Sequence, residues 1–148
     1  MRTNVTIRCI IIQNNKLVLC KHNPSRGFYF LPGGGLESGE TIDDCVYREL
    51  AEEMGLSRDQ ILINSDGHVI ENVMTVNPDD MSDADKIEYH VIGDKIYGIN
   101  ILKQVYVAAD KIESQESHIA FDAVRISDIP ALDIKPAMVK DYLMKLFQ

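Results

Sequence analysis

Three glutamates, Glu49, Glu52 and Glu53, stand at i, i+3 and i+4 a short way behind the glycine turn Pro32-Gly33-Gly34-Gly35. On a helix this spacing turns all three carboxylates to one side, within an arc of roughly 100°. Acids that close repel one another, and each resists ionising unless a cation sits among them. Hard oxygen donors grouped in this way suit Mg²⁺ or Mn²⁺. The chemistry to expect of the cluster is divalent-metal binding in the service of phosphate reactions. The competing reading is a solvated helix face, on which Arg48 and Glu52 form an ordinary i,i+4 ion pair.

The element that must carry these residues reads as a core helix with one acidic flank. Ile42, Val46, Leu50 and Met54 follow one another at i+4 and make an apolar stripe. Thr41 is suited to the N-cap, and Asp43 and Asp44 fall in the first turn, where the helix dipole favours negative charge. Gly55 fits the left-handed position that ends such a helix.

The whole pattern from Gly34 to Leu56 decides against a merely solvated face. Gly34, five residues, Glu40, seven residues, then Arg48-Glu49-Leu50-Ala51-Glu52-Glu53-Met54-Gly55-Leu56 resembles the Nudix box at every defining position. With seven exact positions and two aliphatic ones, ordinary composition produces it in this chain with odds on the order of 10⁻⁸. The resemblance implies an α/β fold, the Nudix-type α/β/α sandwich with a mixed β-sheet between helices. It also implies hydrolysis of a nucleoside diphosphate linked to another moiety, by water attack at phosphorus, with Mg²⁺ or Mn²⁺ as cofactor. Charge develops on phosphoryl oxygens in such a reaction, so cations and a positioned base matter more than a covalent nucleophile.

Carried onto this sequence, the resemblance makes Glu52 and Glu53 the principal metal ligands, and Glu49 a further ligand or the base that prepares the water. Gly34 would offer its backbone carbonyl to the metal, and Glu40 a more distant, water-mediated contact. Arg48 would orient Glu49 by ion pairing. Family members often borrow one more carboxylate from outside the box, for which Glu116 and Asp122 are the candidates here, Glu116 slightly favoured. Asp122 precedes Ala123, where relatives commonly carry Trp.

Markers of particular substrates are missing: there is no proline at the ADP-ribose offset, no tyrosine at the dinucleoside polyphosphate spacing, no coenzyme A signature and no Trp at all for the NADH motif. Elimination leaves a small nucleotide such as a nucleoside triphosphate. The alternatives are a nucleotide sugar or other diphosphate, or a non-catalytic, ligand-sensing Nudix-like domain, which usually has an eroded box. An isomerase of the superfamily would be a longer chain.

Composition agrees with one domain spanning residues 1–148: 45% hydrophobic and 26% charged residues suit a globular protein with a real core. A net charge of −8 argues against a surface for duplex nucleic acid, though not against a phosphorylated ligand beside a bound cation. Cys9, Cys20 and Cys45 read as reduced core thiols, and the start of the chain is too interrupted for a signal peptide or a membrane span. A cytoplasmic location is the expectation.

In chain order, Val5 to Ile12 predicts a strand, Gln13-Asn14-Asn15 a turn and Lys16 to Cys20 the returning strand of a hairpin. His22 and Arg26 fall in a polar loop and are expected at the surface. Phe28-Tyr29-Phe30-Leu31 is a short strand whose aromatics serve either the core or a stacked base. After the helix, Ile61-Leu62-Ile63 leads to a turn at Asn64-Ser65-Asp66-Gly67, then a strand from His68, an ordinary surface imidazole, to Val76. Asn77 to Lys95 is an acidic insert containing a hairpin around Gly93-Asp94, either a cover over the site or a homodimer contact. Ile99 to Ala109 predicts a central strand, Ile119 to Ile126 another, Ser127 to Pro130 a turn, and Pro136 to Phe147 a final helix with Pro136 in its first turn. Strands, helix, strands, helix is the order of a sheet with a helix on each side.

Overall fold

The chain enters as a β-hairpin whose two strands soon part. β1 (Arg2–Gln13) and β2 (Lys16–His22) are joined by Asn14 and Asn15, at φ 51° and 61°. Two consecutive left-handed residues make the tight hairpin turn that matches strand twist, and asparagine tolerates that conformation. The computed structural model describes residues 2–148, with side chains from Asn4 onward. Pairing of β1 with β2 is confined to Ile12 with Leu17 and Gln13 with Lys16. The earlier half of β1 instead pairs antiparallel with β4 (Gly33–Glu37), Ile7 opposite Gly34 and Arg8 opposite Gly33. β2 turns away to β3 (Tyr29–Phe30) and β8 (Ile119–Arg125).

On its other side β1 runs parallel to β7 (Lys95–Val107), which pairs antiparallel with β5 (Ile61–Thr75). The result is a mixed sheet that forks along β1. Helix α1 (Ile42–Met54) covers one face through Cys45, Val46, Leu50 and Met54, packed on Ile7 and Ile11. The other face is covered by the C-terminal helix, which places Val139 and Leu143 against Ile10, Leu17, Leu19 and Leu102. Two cores on opposite faces of one mixed sheet make the α/β/α sandwich. All three cysteines are buried and free.

Several boundaries differ from those expected. β5 does not stop at Asn64–Gly67; it continues through them with a register shift between Ile63 and Gly67, and Lys103 donates to the Ser65 carbonyl at 3.1 Å. A bulge absorbs the turn-forming residues without ending the strand. The acidic insert contains a 3₁₀ turn, Pro78–Asp80, and α2 (Asp83–Glu88), whose Ser82 hydroxyl caps the Asp85 N–H. It then forms the expected hairpin, β6 (Val91–Ile92) against β7. The Ser127–Pro130 turn is part of a 3₁₀ segment, Ile126–Ala131. Pro136 is the N-cap of the last helix, α3 (Ala137–Leu146), not a residue of its first turn.

Candidate functional site

Helix α1 is held where the sequence places it. Thr41 Oγ1 accepts the Asp44 N–H at 3.1 Å, and Gly55, at φ 68°, returns its N–H to the Ala51 carbonyl at 3.0 Å. Along its acidic flank Arg48 is the hub. Its Nε and Nη2 donate to the two carboxylate oxygens of Glu40 at 2.7 and 2.9 Å, and Nη1 donates to Glu49 Oε1 at 2.8 Å. Nη2 also reaches the Gly35 carbonyl at 3.0 Å. The bidentate grip holds the Glu40 carboxyl down at about 2 and fixes the guanidinium as a permanent cation. Glu40, expected as a water-mediated metal contact, thus has both oxygens engaged by Arg48 and also receives the Glu37 N–H.

Glu49 and Glu53 point inward onto the glycine bend. Glu53 is 6% exposed and accepts the Gly33 N–H at 2.9 Å. Burial pushes its carboxyl up to about 8, against the pull of that N–H and with the push of the nearby Glu49 charge. Burial likewise raises Glu49, although Arg48 opposes it. A Cβ on Gly34 would overlap the Glu49 carboxylate, and one on Gly33 would collide with the Ile7 carbonyl oxygen. Gly33 at φ 127° therefore lets β4 lie close on β1, and Gly34 leaves room for an acid. The Gly34 carbonyl takes a weak contact from the Cys45 thiol at 3.8 Å.

Glu52 is the exception in the trio: its side chain is 52% exposed, 3.5 Å from Arg48. Among the described residues no three acids converge at metal-binding distance. The donors nevertheless fit a hard cation in kind. Burial favours the protonated form of both inward carboxylates; Glu49 has Arg48, whereas Glu53 has no ion-pair partner among the described residues, and Mg²⁺ or Mn²⁺ would supply that charge. Of the two extra acids, Glu116 adds its charge to those raising Glu53, and the Gln115 N–H beside it binds the Glu53 carbonyl at 2.8 Å. Its carboxylate lies 3.0 Å from His118. Asp122 accepts from Lys21 and from the Tyr29 hydroxyl, each at 2.8 Å, which holds its carboxyl below the usual range.

Sequence reasoning passed over Arg8. Its Nη1 donates to the carbonyls of Leu31 and Gly33 at 3.1 and 3.2 Å, and its charge opposes the upward shift of both Glu49 and Glu53. The signal for it was a charge in the middle of a β-branched apolar strand. Arg8 also borders a cleft of about 670 Å³ that opens on the α3 side of the fork. His22, Phe28 and Phe30 form one aromatic wall, with His22 5.5 and 5.0 Å from the two phenyl centroids. His22 is thus part of a cleft and not the exposed loop residue expected, whereas Arg26 is exposed. Tyr29 alternates away, to Asp122. Thr6, Asn72 and Asn100 pave the floor, and Met81 and Tyr89 of the insert close one end. His68, expected as an ordinary surface imidazole, is exposed, and it stacks on Tyr142 of α3 at 3.9 Å.

A family model, NUDIX domain, matches residues 2–134. The nucleoside triphosphatase NudI of Escherichia fergusonii is 30% identical over 147 residues, covering 95% of each chain. An ADP-ribose pyrophosphatase of Methanocaldococcus jannaschii is 46% identical over 54 residues, 35% of this chain and 32% of that protein. Among solved structures, the E. coli dihydroneopterin triphosphate pyrophosphohydrolase aligns with a TM-score of 0.71 at 15% identity, covering 97% of this chain and 94% of that one. A MutT protein from Methanosarcina mazei Go1 aligns at 0.62 with 20% identity, covering 95% and 90%.

Proposed function

This chain belongs to the Nudix family of pyrophosphohydrolases, and from that premise we propose that it hydrolyses a nucleoside triphosphate or closely related small nucleotide, dependent on Mg²⁺ or Mn²⁺. The observation that carries the reading is the pair of reluctantly ionised acids, half-buried Glu49 and buried Glu53, set on a glycine bend that Arg8 ties to the edge of a nucleotide-sized cleft. Full-length similarity to a nucleoside triphosphatase supports the substrate class. A second reading, cleavage of a nucleotide sugar, is favoured by the shorter match to an ADP-ribose pyrophosphatase.

In this assignment Glu52 and Glu53 would hold the cation, with the Gly34 carbonyl and Glu116 as further donors and Glu49 as either a further ligand or the base that prepares the water. When bound, the cation supplies charge to the phosphoryl oxygens on which negative charge develops. Arg48 fixes Glu49 through Oε1, which leaves Oε2 either to meet the cation or to take a proton from water. Burial has already raised the proton affinity of that carboxylate. Glu40 acts through Arg48, as a positioning residue. The aromatic wall of His22, Phe28 and Phe30 receives the base, and the route from base to phosphates passes Arg8. A cytoplasmic location accords with three free, buried thiols. Among the described residues no helix is long and apolar enough to cross a membrane.

The test is release of phosphate or pyrophosphate from a panel of nucleoside triphosphates and nucleotide sugars with Mg²⁺ and Mn²⁺. Glu53→Gln keeps the Gly33 hydrogen bond and the fold, and is expected to lose at least about a hundredfold in kcat/KM. Activity that survives this change, or that ignores a chelator, refutes the assigned roles.

A further inference from the structure

The most enclosed polar side chain on the floor of the cleft is an amide without a partner from the protein among the described residues. Asn100, at the centre of β7, is 7% exposed and lines the floor, yet among the described residues its amide has no hydrogen-bond partner. Three other polar groups there are engaged, while Thr6 and Asn72 share the floor with Asn100. Asn4 Nδ2 donates to the carbonyls of Tyr89 and Tyr97, both at 2.8 Å; Arg8 Nη1 holds Leu31 and Gly33; Lys135 Nζ lies 4.7 Å over the Phe28 ring. Among the described residues no buried side-chain nitrogen or oxygen lacks a partner, so the Asn100 amide opens to the cleft, where a ligand can reach both its donor and its acceptor.

The neighbours of Asn100 leave it accessible to a flat ligand. Its partner on β1 is Thr6 and its partner on β5 is Ile70. Gly98, two residues earlier and on the same face, contributes no side chain, and Asn72 stands opposite that gap. An amide presents an acceptor and a donor side by side, the pattern complementary to the edge of a nucleobase. Hydrophobic walls hold a ring but discriminate poorly among rings, whereas a group that must be hydrogen-bonded discriminates strongly.

We propose that Asn100 is the residue that sets base preference: its amide pairs with the edge of a nucleobase held against His22, Phe28 and Phe30. The inference rests on the nucleotide reading above and adds to it the atom pair that reads the base. Asn100 serves specificity and takes no part in bond cleavage.

The experiment measures kcat/KM for ATP, GTP, CTP and UTP, and for ribose 5-triphosphate, which lacks a base, in wild type, Asn100→Ala and Asn100→Asp. Asn100→Thr, β-branched and suited to a strand, is a second variant in case the others fold poorly, and circular dichroism checks each. The expected result is a loss of about tenfold to a hundredfold for the preferred nucleotide in Asn100→Ala and Asn100→Thr, with ribose 5-triphosphate unchanged. Asn100→Asp, which offers only acceptors, is expected to reorder the four bases towards guanine, whose edge offers adjacent N1–H and N2–H donors. Equal losses with and without a base, or an unaltered base ranking, overturn the inference while leaving the nucleotide reading intact. A wild-type protein that hydrolyses no nucleotide overturns both.

Discussion

At the scale of single residues, Arg48 reaches Glu40, Glu49 and Glu52, while buried Glu53 stands without an ion pair among the described residues. Glu40 has Arg48, and its carboxyl lies at about 2 against an ordinary 4.5. A depressed carboxyl stabilises the fold at neutral pH, and that contribution fades as pH falls from about 4.5 towards about 2. Glu40→Gln is therefore expected to cost about 2 kcal/mol at pH 7 by chemical denaturation, with the gap to wild type closing in acid. Glu53 works in the opposite direction. Its carboxyl is raised from 4.5 to about 8, so the metal-free protein should lose stability as pH rises through that interval. Thermal melts without metal are expected to show Glu53→Gln more stable than wild type above pH 8, and Mg²⁺ raising the wild-type Tm increasingly over the same range. A wild-type Tm that is flat from pH 5 to pH 9 with chelator present would contradict the burial argument. These acids were legible as a set because i, i+3 and i+4 are local relations; what separates Glu52 from Glu49 and Glu53 is the packing of β4, which no spacing reveals.

At the scale of elements, two adjacent glycines of β4 perform different tasks. A methyl at position 34 meets a carboxylate that can swing aside; a methyl at position 33 meets the backbone of β1, which cannot. Gly34→Ala is expected to change stability by about 1 kcal/mol or less while lowering kcat/KM at least about tenfold, because it displaces Glu49. Gly33→Ala, strained at φ 127° and blocked by the Ile7 oxygen, is expected to lose about 3 kcal/mol or more. Urea denaturation of the pair, read beside their activities, separates the two tasks. Helix α1 could be read with both caps from sequence, since Thr41, Asp43, Asp44 and Gly55 act within one turn of its ends. β5 could not, because the pull that carries it past Asn64–Gly67 comes from its partner strand, Lys103 included. Asp122 was equally opaque: its cation, Lys21, lies across the β2–β8 pairing.

At the scale of the whole molecule, the fork of the sheet creates the cleft, and every wall of the cleft comes from a different part of the chain. Thr6, Phe30, Asn72, Met81 and Asn100 meet there from β1, β3, β5, the insert and β7. Such a recess leaves no periodic trace in the sequence, although its aromatic wall, Phe28 and Phe30, was visible as an alternation. We propose that the chain is one domain, since the sheet engages strands from Arg2 to Arg125. It is then expected to unfold in a single transition, with circular dichroism and tyrosine fluorescence coincident; two separated transitions would refute this. The insert supplies an end wall through Met81, so Met81→Ser is expected to raise KM severalfold with kcat and Tm nearly unchanged.

One guanidinium stands at the branching point of the strands. Arg8 clasps the carbonyls of Leu31 and Gly33, and so links the residues leading from the aromatic wall to the bend beneath the acids. On the nucleotide reading proposed above, the span between ring and hydrolysed bond would be built into the scaffold, and the protein would act as a gauge of ligand length. A molecule with the correct ring but a longer or shorter tether would present the wrong linkage to the carboxylates, and would occupy the recess without being cut.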